Sequence, residues 1–126
     1  MRNTHEVIDS NPKLREFLRK IDGDFPKNQL AFNALNGKFK KENTDIDPEA
    51  AIELILVSEI SAPRFSKELN KISQLIHSYS SLLEVITKYS VSGHPPPLAT
   101  EQRMDEIEKE YLNILKEIFS KFFFSS

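Results

Sequence analysis

Between Phe65 and Ile86 the apolar residues Phe65, Leu69, Ile72, Ile76, Tyr79, Leu83 and Ile86 recur at steps of four and three. That spacing keeps one face of an α-helix apolar for about six turns. Leu75, Leu82 and Tyr89 widen the seam on one side. On the other side Ser66, Ser73, Ser80 and Thr87 recur every seven residues, a run of small side chains along which a neighbouring helix could approach closely. Lys67, Asn70, Lys71, Gln74, His77, Glu84 and Lys88 fall on the remaining face, as solvation requires. Further along, Met104, Ile107, Tyr111, Ile114, Ile118 and Phe122 step in the same way. The intervening "SGHPPPLAT" supplies Gly93 as a stop, three prolines that stiffen the turn and Thr100 as an N-cap. Two long amphipathic helices over 63–92 and 101–124, joined so briefly, predict an antiparallel hairpin.

Upstream, proline marks the helix starts, since its missing N–H costs nothing in a first turn. "SNPKLREFLRKIDG" offers Asn11 as N-cap, Pro12 at the first helical position, and Leu14, Phe17, Leu18 and Ile21 on one face, ending before Gly23. "GDFPKNQLAFNALNG" repeats the plan with Leu30, Ala31, Phe32 and Leu35 inward and Gly37 as the stop, so that "KFKKENTDI" reads as a polar loop. "DIDPEAAIELILVSEIS" has Asp47 as N-cap, Pro48 next and Glu49 in the first turn, where its charge suits the helix dipole. A strand competes over "IELILV", but this cap and the Ala50-Ala51 pair favour helix. Because Ile52, Leu54, Ile55, Leu56 and Val57 leave almost no polar side, this segment is expected to be the most buried helix. The chain as a whole is read as all-α, a small bundle of about five helices built on the C-terminal hairpin. It forms a single domain over 1–126, with 1–10 expected to be mobile.

Composition fits a globular protein: 126 residues, 39% hydrophobic and 29% charged, with a net charge of -2. Cysteine is absent, which removes disulfides, thiolate nucleophiles and cysteine-ligated metals. Neither a signal-peptide core nor a run of about 18 apolar residues is present, so a cytoplasmic protein without membrane insertion is expected. Charge is unevenly spread. Basic residues dominate from Lys13 to Lys41, whereas Glu42 to Ala62 contains only acidic ones. Lys38, Lys40 and Lys41 around Phe39 could meet nucleic-acid phosphates, but intramolecular pairing with the acidic segment is the favoured reading.

Catalytic chemistry finds little support. His77 falls on the outer helix face, His94 sits in the proline turn, and His5 with Glu6 lies in the terminal segment. None belongs to a metal-ligating pair of the HExxH or ExxH type, and phosphate-cradling or nucleophile-elbow motifs are absent. Glu53, Glu59, Glu106, Glu108 and Glu110 are expected on solvated faces. The reading is therefore non-enzymatic, with no catalytic, cofactor or metal residues. The favoured function is a protein–protein interaction module, such as an adaptor, inhibitor or regulator, that self-associates as a homodimer through apolar helix faces. A bundle holding an apolar small molecule or lipid is the alternative, with Tyr79, Tyr89 and Tyr111 supplying hydroxyls.

The chain's last residues, "EIFSKFFFSS", concentrate four phenylalanines. Phe119 and Phe122 are expected inside the protomer. Phe123 and Phe124, continued along the helix by Leu112 and Phe119, form the candidate partner-binding set.

Overall fold

A computed structural model of the chain describes residues 11–124, all-α with five helices and, among these residues, no strand. The helices are α1 (Pro12–Arg19), α2 (Phe25–Glu42), α3 (Pro48–Ser61), α4 (Ser66–Ser92) and α5 (Leu98–Phe124). The expectations for His5, Glu6, the mobility of 1–10 and the last two serines fall outside the described residues.

α4 and α5 fold back on each other. Phe65 meets Phe122 with ring centroids 6.2 Å apart, and the Tyr79 hydroxyl donates to Glu108 Oε2 at 2.6 Å. One partner's number rises as the other's falls, which is the register of an antiparallel pair. Gly93 ends α4 with φ at +80°, a left-handed conformation that only glycine adopts without strain. Its N–H donates to the Ser90 carbonyl, and that of His94 to the Tyr89 carbonyl, which closes the last turn as a Schellman motif.

α2 crosses the hairpin and packs on both of its helices as well as on α1 and α3. Contrary to the sequence expectation, α2 does not stop at Gly37 but runs on to Glu42. Phe39 explains the extension, because it follows Phe32 by two helical turns and lies in the core edge-on to Phe119, centroids 5.6 Å apart. Lys40 and Lys41 then occupy the last turn, where cations suit the helix dipole. Leu30, expected inside, is 63% exposed.

Three helix starts also differ from expectation. Asn11 makes no side-chain cap; instead Glu53 of α3 accepts the N–H groups of Lys13 at 3.2 Å and Leu14 at 2.7 Å. Glu59 Oε1 likewise accepts those of Arg64 and Phe65, so the chain turns there and α4 begins at Ser66 rather than at 63. α5 begins at Leu98, straight from the proline turn, and Thr100 lies in its first turn donating to the Pro97 carbonyl.

The core runs from Leu14 and Leu18 through Phe32, Leu35 and Phe39 to Ile72, Ile76, Ile107, Tyr111, Leu115 and Phe119. On α5 the expected seam is turned toward α2: Leu115 and Phe119 are fully buried, while Ile114 and Phe122 are only half-buried. Beyond Tyr79 and Ile107 the hairpin is less covered, with the first turns of α2 beside it at Lys27 and Glu84. Leu82, Leu83, Ile86 and Met104 are half-buried there, and Val91 and Leu98 are exposed.

Candidate interaction surface

α3 was expected to be the most buried helix, and it is not. Only Ala51, Ile52 and Ile55 of its apolar residues enter the core. Leu54, Val57 and Ile60 are 54%, 48% and 65% exposed. At 100° per residue, Ala50, Leu54, Val57 and Ser61 share one stripe lying about 140° around the helix from the buried set. They step by four, three and four, the spacing of a helix–helix seam. α3 is thus apolar on two sides, and the protomer covers one. The all-round apolar pattern implies a buried helix, and three of its large residues are exposed instead. What it could not give was the helix's place at the edge of the bundle.

The charged groups of α3 are all drawn away from that stripe. Glu53 caps α1 and Glu59 caps the start of α4, as described above. Glu49 Oε1 pairs with Lys40 Nζ at 3.1 Å. Glu53 and Glu59, expected on solvated faces, are therefore turned to internal partners, and Glu49 is buried. Burial, and then the neighbouring Asp47 carboxyl, push the Glu49 carboxyl above its ordinary pKa. Burial also acts against ionised Asp47, but hydrogen bonds from the first turn and the charge of Lys40 hold its pKa below the usual range.

At the C-terminus the structure divides the four candidate residues. Phe119 and Leu112 are buried within the chain, so they cannot meet a partner unless the protomer opens. Phe119 lies against Phe39, and Leu112 belongs to the same core. Phe123 is 43% exposed with its ring edge-on to Phe122, centroids 4.9 Å apart, and Phe124 is 79% exposed. Phe124 lies about 200° around the helix from Phe122 at 100° per residue, which fits its exposure.

The remaining candidate groups do not converge. The Tyr111 hydroxyl, fully buried, donates to Asn36 Oδ1 at 2.5 Å, Tyr79 is bound to Glu108, and Tyr89 lies far along the hairpin. Lys38 pairs with Glu108 at 3.9 Å and Lys40 with Glu49, while Lys41 is exposed. His77 is exposed beside Gly23, and His94 is exposed in the turn. Among the described residues no group of three or more His, Asp or Glu side chains is arranged to hold a metal ion. No helix among them is long and apolar enough to cross a membrane. A cleft of about 390 Å³ lies between α2 and α4; Leu30, Ser80, Leu83 and Thr87 line it, and the Lys27–Glu84 ion pair borders it. Ser80 and Thr87, expected to let a neighbouring helix approach closely, line an open cleft instead. The cleft lies beside the first turns of α2, at Lys27 and Leu30.

No known protein family, curated protein or solved structure matches this chain.

Proposed function

We propose that the chain is a non-enzymatic protein–protein interaction module, an adaptor, inhibitor or regulator acting in the cytoplasm, and that it self-associates through apolar helix surface. The observation that carries this reading is the uncovered side of α3. Leu54 and Val57 lie in the middle of a stripe without a single charged group, while every carboxylate of the helix is spent on an internal partner. A helix apolar on both sides is at home between two layers, and only one is supplied by the protomer. Phe123 and Phe124 add a smaller aromatic contact at the end of α5.

Sedimentation of the purified chain over a range of concentrations tests the reading. A mass that rises from 14.5 kDa toward twice that value is expected. A monomer at every concentration, carrying a co-purified small molecule, would favour the second reading instead. That reading is an apolar ligand seated in the cleft between Leu30 and Leu83, and the cleft's volume and lining are what support it. Nucleic-acid binding is the least favoured, because Lys38 and Lys40 are already engaged with Glu108 and Glu49.

A further inference from the structure

Independently of self-association, and resting on the second reading of a ligand in the cleft, we infer that the occupant is a free single-chain amphiphile with an anionic head, a fatty-acid-like carboxylate. Its alkyl chain lies between Leu30 and Leu83, and its carboxylate meets Lys88 at the open end.

The cleft suits a chain with two unlike ends. It follows α4 from Ser80 to Lys88, about 12 Å along the helix axis. Burial falls over that length: Ser80 is 7% exposed, Leu83 is half-buried, and Thr87 and Lys88 lie in solvent. The closed end is roomy because serine is small. Five of the seven lining residues are polar, yet the wall between them is nearly all carbon. The Thr87 hydroxyl donates to the Leu83 carbonyl at 3.0 Å, and Lys27 and Lys88 offer the cleft their methylene stems. Leu30 is largely exposed in the protomer, and an alkyl chain laid on it would remove that apolar surface from water. The volume of about 390 Å³ stands near the lower end of the range for ligand pockets, roughly 300–1,000 Å³. One short chain fits it better than a two-chain lipid does.

Charge sets the sign of the head. Glu84 Oε1 accepts from Lys27 Nζ at 2.9 Å, and the charge of Lys88, one turn along α4, acts on the same carboxylate. Two cations thus share one anion, and the rim keeps a positive charge in excess. Among the described residues Lys88 forms no ion pair of its own. A ligand carboxylate beside Lys88 supplies the missing negative charge, whereas a cationic head would be repelled and an uncharged one would leave the excess unanswered. Because this rim is exposed, the head is worth a several-fold change in affinity, and salt weakens it.

Methyl NMR spectra of the purified chain test the inference, with decanoate, decanol and decyltrimethylammonium each titrated below its aggregation concentration. Decanoate is expected to shift the Leu30 and Leu83 signals and to bind several-fold more tightly than decanol, an advantage that shrinks in high salt. Lys88→Gln, at an exposed position, should bring the acid down to the level of the alcohol and leave the alcohol unchanged. Glu84→Gln should tighten the acid, because it removes the competing carboxylate. If acid and alcohol bind equally, if the ammonium binds best, or if Glu84→Gln loosens the acid, the ligand cleft stands and its anionic occupant falls. If none of the probes moves the Leu30 and Leu83 signals, the cleft reading falls as well. Binding to anionic phospholipid vesicles with no response to free decanoate would overturn the inference in favour of a membrane surface.

Discussion

Helix α2 carries nine charged or amide residues among its eighteen, and α3 carries three among its fourteen. Yet α2 packs against all four other helices, while α3 lies at the edge with Leu54, Val57 and Ile60 exposed. The contrast shows that position in the bundle follows from where apolar residues stand, not how many there are. In α2, Ala31, Phe32, Leu35 and Phe39 align on one side. Of the amides that enter with them, Asn28 Nδ2 donates to the Asp22 carbonyl and Asn36 Oδ1 accepts from Tyr111, while Gln29 Nε2 and Asn36 Nδ2 are buried without a partner. A buried amide that keeps its hydrogen bonds costs the core little. In α3 the apolar residues surround the helix, so the protomer uses those that face it and leaves the rest.

The sharpest way to break this comparison is to truncate one residue from each helix. Phe39→Ala empties space beside Phe119 and is expected to lose about 3–5 kcal/mol in urea unfolding. Leu54→Ala, at protein concentrations low enough to keep the chain monomeric, should change stability by less than about 0.5 kcal/mol. Comparable losses in the two variants would mean that α3, not α2, is the central helix.

A smaller effect separates the helices by pH, because their junction is the Lys40–Glu49 pair. The folded protein raises the Glu49 pKa, so it holds that proton more tightly than the unfolded chain does. The associated stability is fully present below the ordinary carboxylate range, near pH 4.3, and is lost as pH rises through the raised value. Asp47 acts in the opposite sense. Its lowered pKa contributes stability above the ordinary range, which is lost as pH falls through the depressed value. The melting temperature of Glu49→Gln should therefore gain on that of the wild type as pH climbs from about 4 toward neutrality. A constant offset across that interval would show that the Lys40 pair outweighs burial at Glu49.

Much of this architecture was legible in the chain. The three-and-four spacing from Phe65 to Ile86 and from Met104 to Phe122 gave the hairpin, and Gly93 gave its turn, because both signals are local. What escaped the sequence was non-local. Glu53 looks like any exposed helix acid until α1 is placed with its free N–H groups beside it. Leu115 and Ile114 are adjacent and both apolar, and only the placement of α5 in the bundle makes Leu115 the buried one. The candidate surface was half legible: Phe123 and Phe124 followed from their angles on the helix, but the exposed side of α3 depended on knowing which neighbour it lacks. Phe119 and Leu112 left the partner set for the same reason, since α2 reaches them only if it continues past Gly37.

Gly37 offers the finest test of that last point. A glycine that terminates a helix takes a positive φ, as Gly93 does, and a side chain there would be strained. Gly37 has no positive φ and lies within α2, and a Cβ placed on it would meet no atom within 4 Å. In a helix interior, alanine loses less chain entropy on folding than glycine does, so Gly37→Ala is expected to stabilise the fold by about 0.5–1 kcal/mol. If Gly37 instead ended the helix, as its sequence context implies, the same change would destabilise by at least as much. One unfolding curve therefore decides whether α2 is a single helix that carries Phe39 into the core. The sign of the shift is the result, and its small size needs only a chain whose unfolding is reversible.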